Sequence, residues 1–348
     1  MPVGRASIGL TDPQGVPMLV RGMPGNPEGL TWKLIQEARE RIAHHVAMTP
    51  VLTSATLDAR AGAQLHFKCE NFQKCGAFKA RGATNAVVAL SEEQARRGVA
   101  THSSGNHAAA LARAARLRGI PAYIVMPDNT PQVKRAAVER YGGKITYCEA
   151  TLAAREDTAC QVIAATGAIL VHPYDDLTVM AGQATAAVEL LGQVPDLDLI
   201  LCPVGGGGLL SGTAVAAKTL KPSIRVLGVE PTGADDAARS FRAGRILPSL
   251  KPNTIADGLR GALGEQPFAE IRRLVDDITT VSDESIVRAM RHLWEVMKII
   301  VEPSGAVAYA ALLADRPQLR GLRIGLMLSG GNVDLERLPW TPNAPAQS

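Results

Sequence analysis

Leu199-Ile200-Leu201-Cys202-Pro203-Val204-Gly205-Gly206-Gly207-Gly208-Leu209-Leu210-Ser211-Gly212 reads as an apolar strand, a run of four glycines, and a helix of small residues. Short apolar runs closed by turn residues are buried strands of a parallel sheet. Glycines lacking a Cβ let the backbone approach a ligand and aim its N–H groups inward, and a helix N-terminus behind them favours an anion. The pattern is neither Gly-x-Gly-x-x-Gly nor a lysine-ending P-loop, so it argues for a phosphate cradle and against dinucleotides and nucleoside triphosphates. A flexible linker is the other reading of a glycine run.

The same strand–loop–helix rhythm extends in both directions. Upstream, Gln64–Cys69, Gly98–His102, Ala122–Met126, Lys144–Cys148 and Ala168–His172 read as strands; downstream, Arg225–Glu230 and Arg323–Met327 do. Helical patterns of ten or more residues fall between them. Alternation of this kind predicts an α/β chain: two open, twisted, mainly parallel sheets flanked by helices, with the reactive groups at the strands' carboxyl ends. Abundant alanine and few aromatics predict helices packed closely through small side chains.

Three further loops carry chemistry. Gly76-Ala77-Phe78-Lys79-Ala80-Arg81-Gly82-Ala83 puts Lys79 in the first turn of a helix expected to run to Gly98. There the positive end of the helix dipole disfavours the ammonium form, and a neutral lysine amine is both nucleophile and base. Taken alone, the segment also fits a surface lysine. Ser103-Ser104-Gly105-Asn106-His107 lies between a strand and a helix, with donors that suit a carboxylate; an ordinary capping turn uses the same residue types. Leu328-Ser329-Gly330-Gly331-Asn332 places a hydroxyl at a strand's carboxyl end. A reactive lysine, a phosphate loop, a carboxylate turn and a hydroxyl form the set that pyridoxal 5'-phosphate needs to act on an amino acid.

Whole-chain properties narrow the class. The chain has 348 residues, 46% hydrophobic content, 20% charge and a net charge of +4, ordinary values for a globular protein. Arginines recur on two helices without interleaved aromatics, so nucleic acid is not expected as a partner. Cys69, Cys75, Cys148, Cys160 and Cys202 are odd in number and lack a Cys-x-x-Cys pair, which suits a reducing compartment. No apolar run approaches the ~18–20 residues of a membrane span, and no leader pattern opens the chain. A cytoplasmic location and no membrane partner are therefore expected.

The strings Glu70 to Ala83, Ser103 to His107, Pro203 to Leu209, Glu302-Pro303-Ser304-Gly305-Ala306 and Ser329-Gly330-Gly331-Asn332 resemble, in order and without large gaps, the serine/threonine dehydratase family of fold-type II pyridoxal-phosphate enzymes. The resemblance implies that Lys79 is joined to the cofactor aldehyde and that Phe78 packs beside the ring. Asn106 would bond the ring's phenolic oxygen, Gly205, Gly206, Gly207, Gly208 and Leu209 the phosphate, and Ser329 the pyridine nitrogen. Ser103, Ser104, Gly105, Asn106 and His107 would take the substrate carboxylate, with Ser104 facing Lys79 across the substrate plane. Glu230-Pro231-Thr232-Gly233-Ala234-Asp235-Asp236 is similar to a segment that binds Mg²⁺ through Glu230, the Ala234 carbonyl and Asp236; Ca²⁺ or Mn²⁺ are the other candidates, and a solvated acidic loop is the alternative from residues alone.

Many Gly and Pro and no periodicity make residues 1–30 a loose extension or a segment that lies across a partner subunit. The resemblance further implies a large cofactor domain over 31–91 and 176–340 and a small domain over 92–175 that closes over the substrate. The expected activity is β-elimination of water from a β-hydroxy-α-amino acid such as L-serine or L-threonine, giving a 2-oxo acid and ammonia, with serine racemisation as a competing outcome and a homodimer as the assembly. A dehydratase for 3-hydroxyaspartate is the alternative, with Arg155 as a cation for the extra carboxylate. A non-catalytic cofactor-carrying or amino-acid-sensing protein is the alternative from another class. Cys75, Ala77, Ala108 and Tyr174 depart from the family pattern.

Overall fold

The computed structural model describes residues 29–314 and 316–341. Of the expected N-terminal extension, residues 1–28 lie outside the described residues; Leu30 is buried, and its N–H donates to the Glu270 carboxylate at 3.0 Å.

Among the described residues, ten strands form two sheets. In chain order they are β1 (Val51–Leu52), β2 (Gln64–Cys69), β3 (Val99–Thr101), β4 (Ala122–Pro127), β5 (Lys144–Cys148), β6 (Ile169–Leu170), β7 (Leu199–Pro203), β8 (Arg225–Pro231), β9 (Asp277–Val281) and β10 (Arg323–Leu328). The larger sheet has the order β1-β2-β10-β7-β8-β9, and the smaller β5-β4-β3-β6. Every pairing is parallel except β1 with β2. The α/β class and the two mainly parallel sheets expected from the strand–helix alternation are what the chain forms. β7 is buried at all five positions, as a central strand covered on both faces must be.

The helices meet through missing side chains. A Cβ on Gly182 would lie 2.6 Å from the Gly82 Cα, and one on Gly212 would lie 2.8 Å from the Met180 carbonyl oxygen. Helix Leu177–Gln193 thereby lies close against Lys79–Ala89 and Gly208–Leu220. Dense contact of this kind is what positions the first turn of the Lys79 helix.

One helix is shorter than expected. The pattern from Lys79 to Gly98 divides into Lys79–Ala89 and Glu92–Arg97, because Leu90 turns to extended backbone and Ser91 caps a new helix. Ser91 and Gln94 satisfy each other's backbone N–H groups, a capping box that apolar periodicity does not reveal.

Candidate active site

The loops at the carboxyl ends of β2, β7 and β10 bring three of the expected groups together. After β2, residues Glu70 to Phe78 lead into helix Lys79–Ala89, with Lys79 at its first position. Ala77 forms a bridge with Gly330, and the Phe78 N–H donates to the Ser329 carbonyl at 3.0 Å. The loop following β10 is thus bonded to the residues just before the lysine.

The Lys79 amine donates to the Pro173 carbonyl at 2.6 Å and lies 5.0 Å from the centre of the Phe78 ring and 5.9 Å from that of Tyr174. No carboxylate pairs with it among the described residues. Burial alone lowers its pKa to about 8. The first-turn placement read from the sequence holds, and desolvation is the cause that lowers its basicity.

Two residues along the same helix stands a cation treated differently. Arg81, fully buried, gives Nε and Nη2 to Glu70 at 2.7 and 2.8 Å, and Nη1 and Nη2 to Glu189 at 2.7 and 2.8 Å. Lys68 joins Glu189 at 2.7 Å, and Thr49 donates to Glu70 at 2.5 Å. The two carboxylates hold the Arg81 guanidinium well above its ordinary pKa, and the Arg81 charge keeps Glu70 ionised despite burial. This network ties β2 and helix Leu177–Gln193 to the start of the lysine helix.

The glycine loop follows β7. Gly207 has φ +92°, a region L side chains rarely enter, and a Cβ on Gly206 would sit 2.3 Å from the Tyr174 ring. Helix Gly208–Leu220 opens without a side-chain cap, leaving its first N–H groups for a ligand. A cradle of this shape at an uncapped helix start fits a phosphate. Tyr174, noted in the sequence only as a departure, covers this loop: it also faces Gly208 and Gly261, and packs edge-on against His172 at 4.6 Å.

The Ser103–His107 turn lies at the carboxyl end of β3. Helix Asn106–Arg118 begins with Gly105 as N-cap and has no side-chain cap, so the hydroxyls of Ser103 and Ser104 are not used to close it. The Ser103 hydroxyl accepts from the Gly105 N–H at 3.4 Å, and Ser104 is half-buried. His107 is placed differently from its neighbours. Its ring is buried with Nε2 3.2 Å from the Val171 carbonyl and Nδ1 without a partner among the described residues, and burial keeps it neutral. Any contact with an anion at this turn would therefore come from the His107 backbone N–H.

Asn106 belongs to a hydrogen-bonded cluster with Glu302 and Asn332, and Ser329 lies on the same loop as Asn332. Asn106 Nδ2 donates to Glu302 at 2.8 Å, and Asn106 Oδ1 accepts from Asn332 Nδ2 at 2.9 Å. Ser329, buried at the end of β10, donates to the Ser304 carbonyl at 3.4 Å. Glu302 and Asn332 carried no expected role although both belong to quoted motifs. Sequence offers no sign that residues 196 positions apart share a hydrogen bond.

The acidic segment is compact. Glu230, near the end of β8, accepts from the N–H groups of Ala237 and Ala238 at 3.0 and 2.8 Å, and Asp236 accepts from the Leu263 N–H at 3.0 Å. Ala234 ends the 3₁₀ turn Thr232–Ala234 between them. Burial, with Asp236 and Asp235 adding to it, pushes the Glu230 carboxyl up to about 8. One Asp236 oxygen is buried without a partner among the described residues. Among those residues no group of three His, Cys, Asp or Glu side chains converges on a metal position.

Arg155 lies on helix Leu152–Thr166, and its charge helps to lower the basicity of His102, whose ring is 5.5 Å from that of His172. Lys134 and Asp257 form an ion pair between helix Gln132–Glu139, on the side of the smaller sheet, and the turn Asp257–Leu259. Among the described residues no helix is long and apolar enough to cross a membrane, and all five cysteines are free.

Comparison with known proteins agrees with this geometry. Residues 42–330 match the family model described as "Pyridoxal-phosphate dependent enzyme". The chain is 52% identical to serine racemase from Arabidopsis thaliana over 87% of its own length and 93% of that protein's. It is 50% identical to beta-hydroxyaspartate dehydratase from Paracoccus denitrificans, covering 89% of this chain and 98% of that one. The solved structure of maize serine racemase superposes with a TM-score of 0.87 at 50% identity, covering 88% and 95% of the two chains.

Proposed function

The chain belongs to the pyridoxal-phosphate-dependent enzyme family, and from that premise we propose that it eliminates water from a β-hydroxy-α-amino acid to give a 2-oxo acid and ammonia, with racemisation of serine as a competing outcome. The observation that carries this reading is the Lys79 amine: buried, without a counter-ion, and carried by the segment that contacts the Ser329–Gly330 loop.

Bound in this site, pyridoxal phosphate supplies an aldehyde for the lysine and an electron sink for the negative charge that develops at the amino acid's Cα. The N–H groups of Gly205 to Leu209 would hold the phosphate, Asn106 would donate to the ring oxygen, and Phe78 would pack against the ring. Ser329 would meet the pyridine nitrogen with a neutral hydroxyl. Such a contact leaves the ring less electron-withdrawing than a carboxylate partner does, which favours elimination over transamination. The backbone of Ser103 to His107 and the hydroxyls of Ser103 and Ser104 orient the substrate carboxylate. The free Lys79 amine would take the Cα proton on one face, and the β-hydroxyl would depart as water on receiving a proton from the Lys79 ammonium so formed. Water converts the resulting enamine to the 2-oxo acid and ammonia. Ser104, on the other face, returns a proton to Cα when the hydroxyl has not yet left, and the product is then the enantiomer.

A second reading, 3-hydroxyaspartate as substrate, is favoured by Arg155, whose charge reaches His102 and Tyr174 beside the cleft. That guanidinium is suited to a second carboxylate. Glu230, the Ala234 carbonyl and Asp236 are the groups that would hold a divalent cation. The Asp236 oxygen without a partner among the described residues and the burial that, with Asp236 and Asp235 adding to it, raises Glu230 both favour one. Residues 92–175 are read as the small domain that closes over substrate, with the Lys134–Asp257 pair across the closure. The assembly is read as a homodimer and the location as cytoplasmic. Ammonia release is to be measured with L-serine, L-threonine and both diastereomers of 3-hydroxyaspartate. Release from serine or threonine supports the first reading, and release confined to hydroxyaspartate supports the second. No release from any of them leaves a cofactor carrier or sensor.

A further inference from the structure

Glu302 is the one buried carboxylate at the cleft that the reaction above does not use. It is the N-cap residue of helix Pro303–Ala310 and is almost fully enclosed. Space has been left for it: a Cβ on Gly330 would lie 2.4 Å from its Oε1. Oε1 accepts from Asn106 Nδ2 at 2.8 Å, and Oε2 accepts from the Asn332 N–H at 3.1 Å. Asn332 Nδ2 donates in turn to Asn106 Oδ1 at 2.9 Å and to the Cys75 carbonyl at 2.7 Å.

These bonds determine which way the Asn106 amide faces. Its oxygen is taken by a donor, and one of its two N–H bonds is taken by the carboxylate. Rotating the amide by half a turn would set oxygen against carboxylate and NH₂ against NH₂, which replaces two hydrogen bonds by two repulsions. The group left free is the second N–H, a donor fit for an anionic oxygen. A neutral carboxyl at 302 enforces that choice less strongly, because its hydroxyl can itself donate to the Asn106 oxygen of a turned amide, and only the Asn332 NH₂, held by the Cys75 carbonyl, still opposes the turn.

We propose that Glu302 is the positioning residue that holds the Asn106 N–H toward the cofactor's ring oxygen, and that its protonation weakens this hold. The inference rests on the cofactor reading above and goes beyond it. The charged groups that face Glu302 are Asp257 and Lys134, which pair with one another, so their fields at Glu302 oppose. Burial is the largest influence and raises the carboxyl to about 8, with Asp257 adding; the Asn106 and Asn332 hydrogen bonds and Lys134 act in the other direction. The carboxyl therefore changes charge within the range where enzymes of neutral compartments work.

The test is a pH titration of the visible absorbance band of the loaded protein, recorded from ~6 to ~10 on wild type, Glu302→Gln and Glu302→Asp. Wild type is expected to titrate with a midpoint of about 8. The Gln variant should lack that transition, and the Asp variant should keep one moved by about one unit or more. Superimposable curves for wild type and the Gln variant overturn the inference. If the Gln variant does not fold, an unshifted midpoint in the Asp variant overturns it instead. A wild-type protein that develops no visible band overturns both the cofactor reading and this inference, whereas a band that titrates identically in all three proteins sinks only the inference.

Discussion

Lys79 and Arg81 stand two residues apart on one helix, both withdrawn from water, and the structure treats their charges in opposite ways. Arg81 meets two carboxylates in fork geometry, with Lys68 and Thr49 completing the network. Lys79 meets one carbonyl and two aromatic rings. Pairing drives the arginine's pKa up; burial without pairing drives the lysine's down to about 8. Burial of a charge is therefore not by itself a sign of function. The missing counter-ion is what distinguishes a reactive amine from a structural one.

The largest effect that can break this comparison is at the amine itself. Lys79→Ala should abolish the visible band formed with pyridoxal phosphate and reduce ammonia release by several orders of magnitude, since the nucleophilic amine at the start of the helix is removed. Retained turnover in that variant would remove Lys79 from the chemistry altogether.

Next in size is Arg81→Met. It strips the cation from buried Glu70 and leaves half-buried Glu189 with Lys68 as its remaining partner, and it should cost about 3–5 kcal/mol in a denaturant titration, because one buried carboxylate is left uncompensated. A loss under about 1 kcal/mol would mean that water or relaxation replaces the guanidinium, and the network would then contribute little.

The third prediction is smaller and of opposite sign. Lys79 has a folded-state pKa below its unfolded value, so its favourable contribution is present at high pH and is lost as pH falls through about 8. At neutral pH the cofactor-free protein therefore carries the burden of an unpaired buried charge. Lys79→Met should stabilise the cofactor-free protein near neutrality by on the order of 1–3 kcal/mol, with the gain shrinking towards ~pH 10.5. Thermal melts of the two proteins at both pH values check it. A variant that is less stable than wild type at neutral pH would show that the amine's contacts outweigh its desolvation.

The legible part of the site was local. Lys79, the four glycines and the Ser103–His107 turn each announced themselves by residue type between a strand and a helix, and Ser329 by its place after a strand; the structure places each of those loops at a strand's carboxyl end. Less legible was how each group is used. Ser103 and Ser104 suited either a carboxylate site or an ordinary capping turn, and the helix they precede starts without a side-chain cap. His107 looked available to an anion, yet its ring is bonded to Val171 inside the smaller sheet's layer. Tyr174 read as a departure from pattern and turns out to cover the glycine loop.

Sequence by itself determined the fold class, the order of the elements and the family, because periodicity, glycine runs and first-turn residues are properties of contiguous chain. Tertiary structure alone decided which charges are paired. Arg81 finds Glu189 108 positions away, Asn106 finds Glu302 196 positions away, and Lys79 finds no carboxylate. A pKa is set by distance and by exclusion of water, and neither is a property of neighbouring letters, so the difference between a reactive amine and an inert guanidinium appears only once the sheets have brought their loops together.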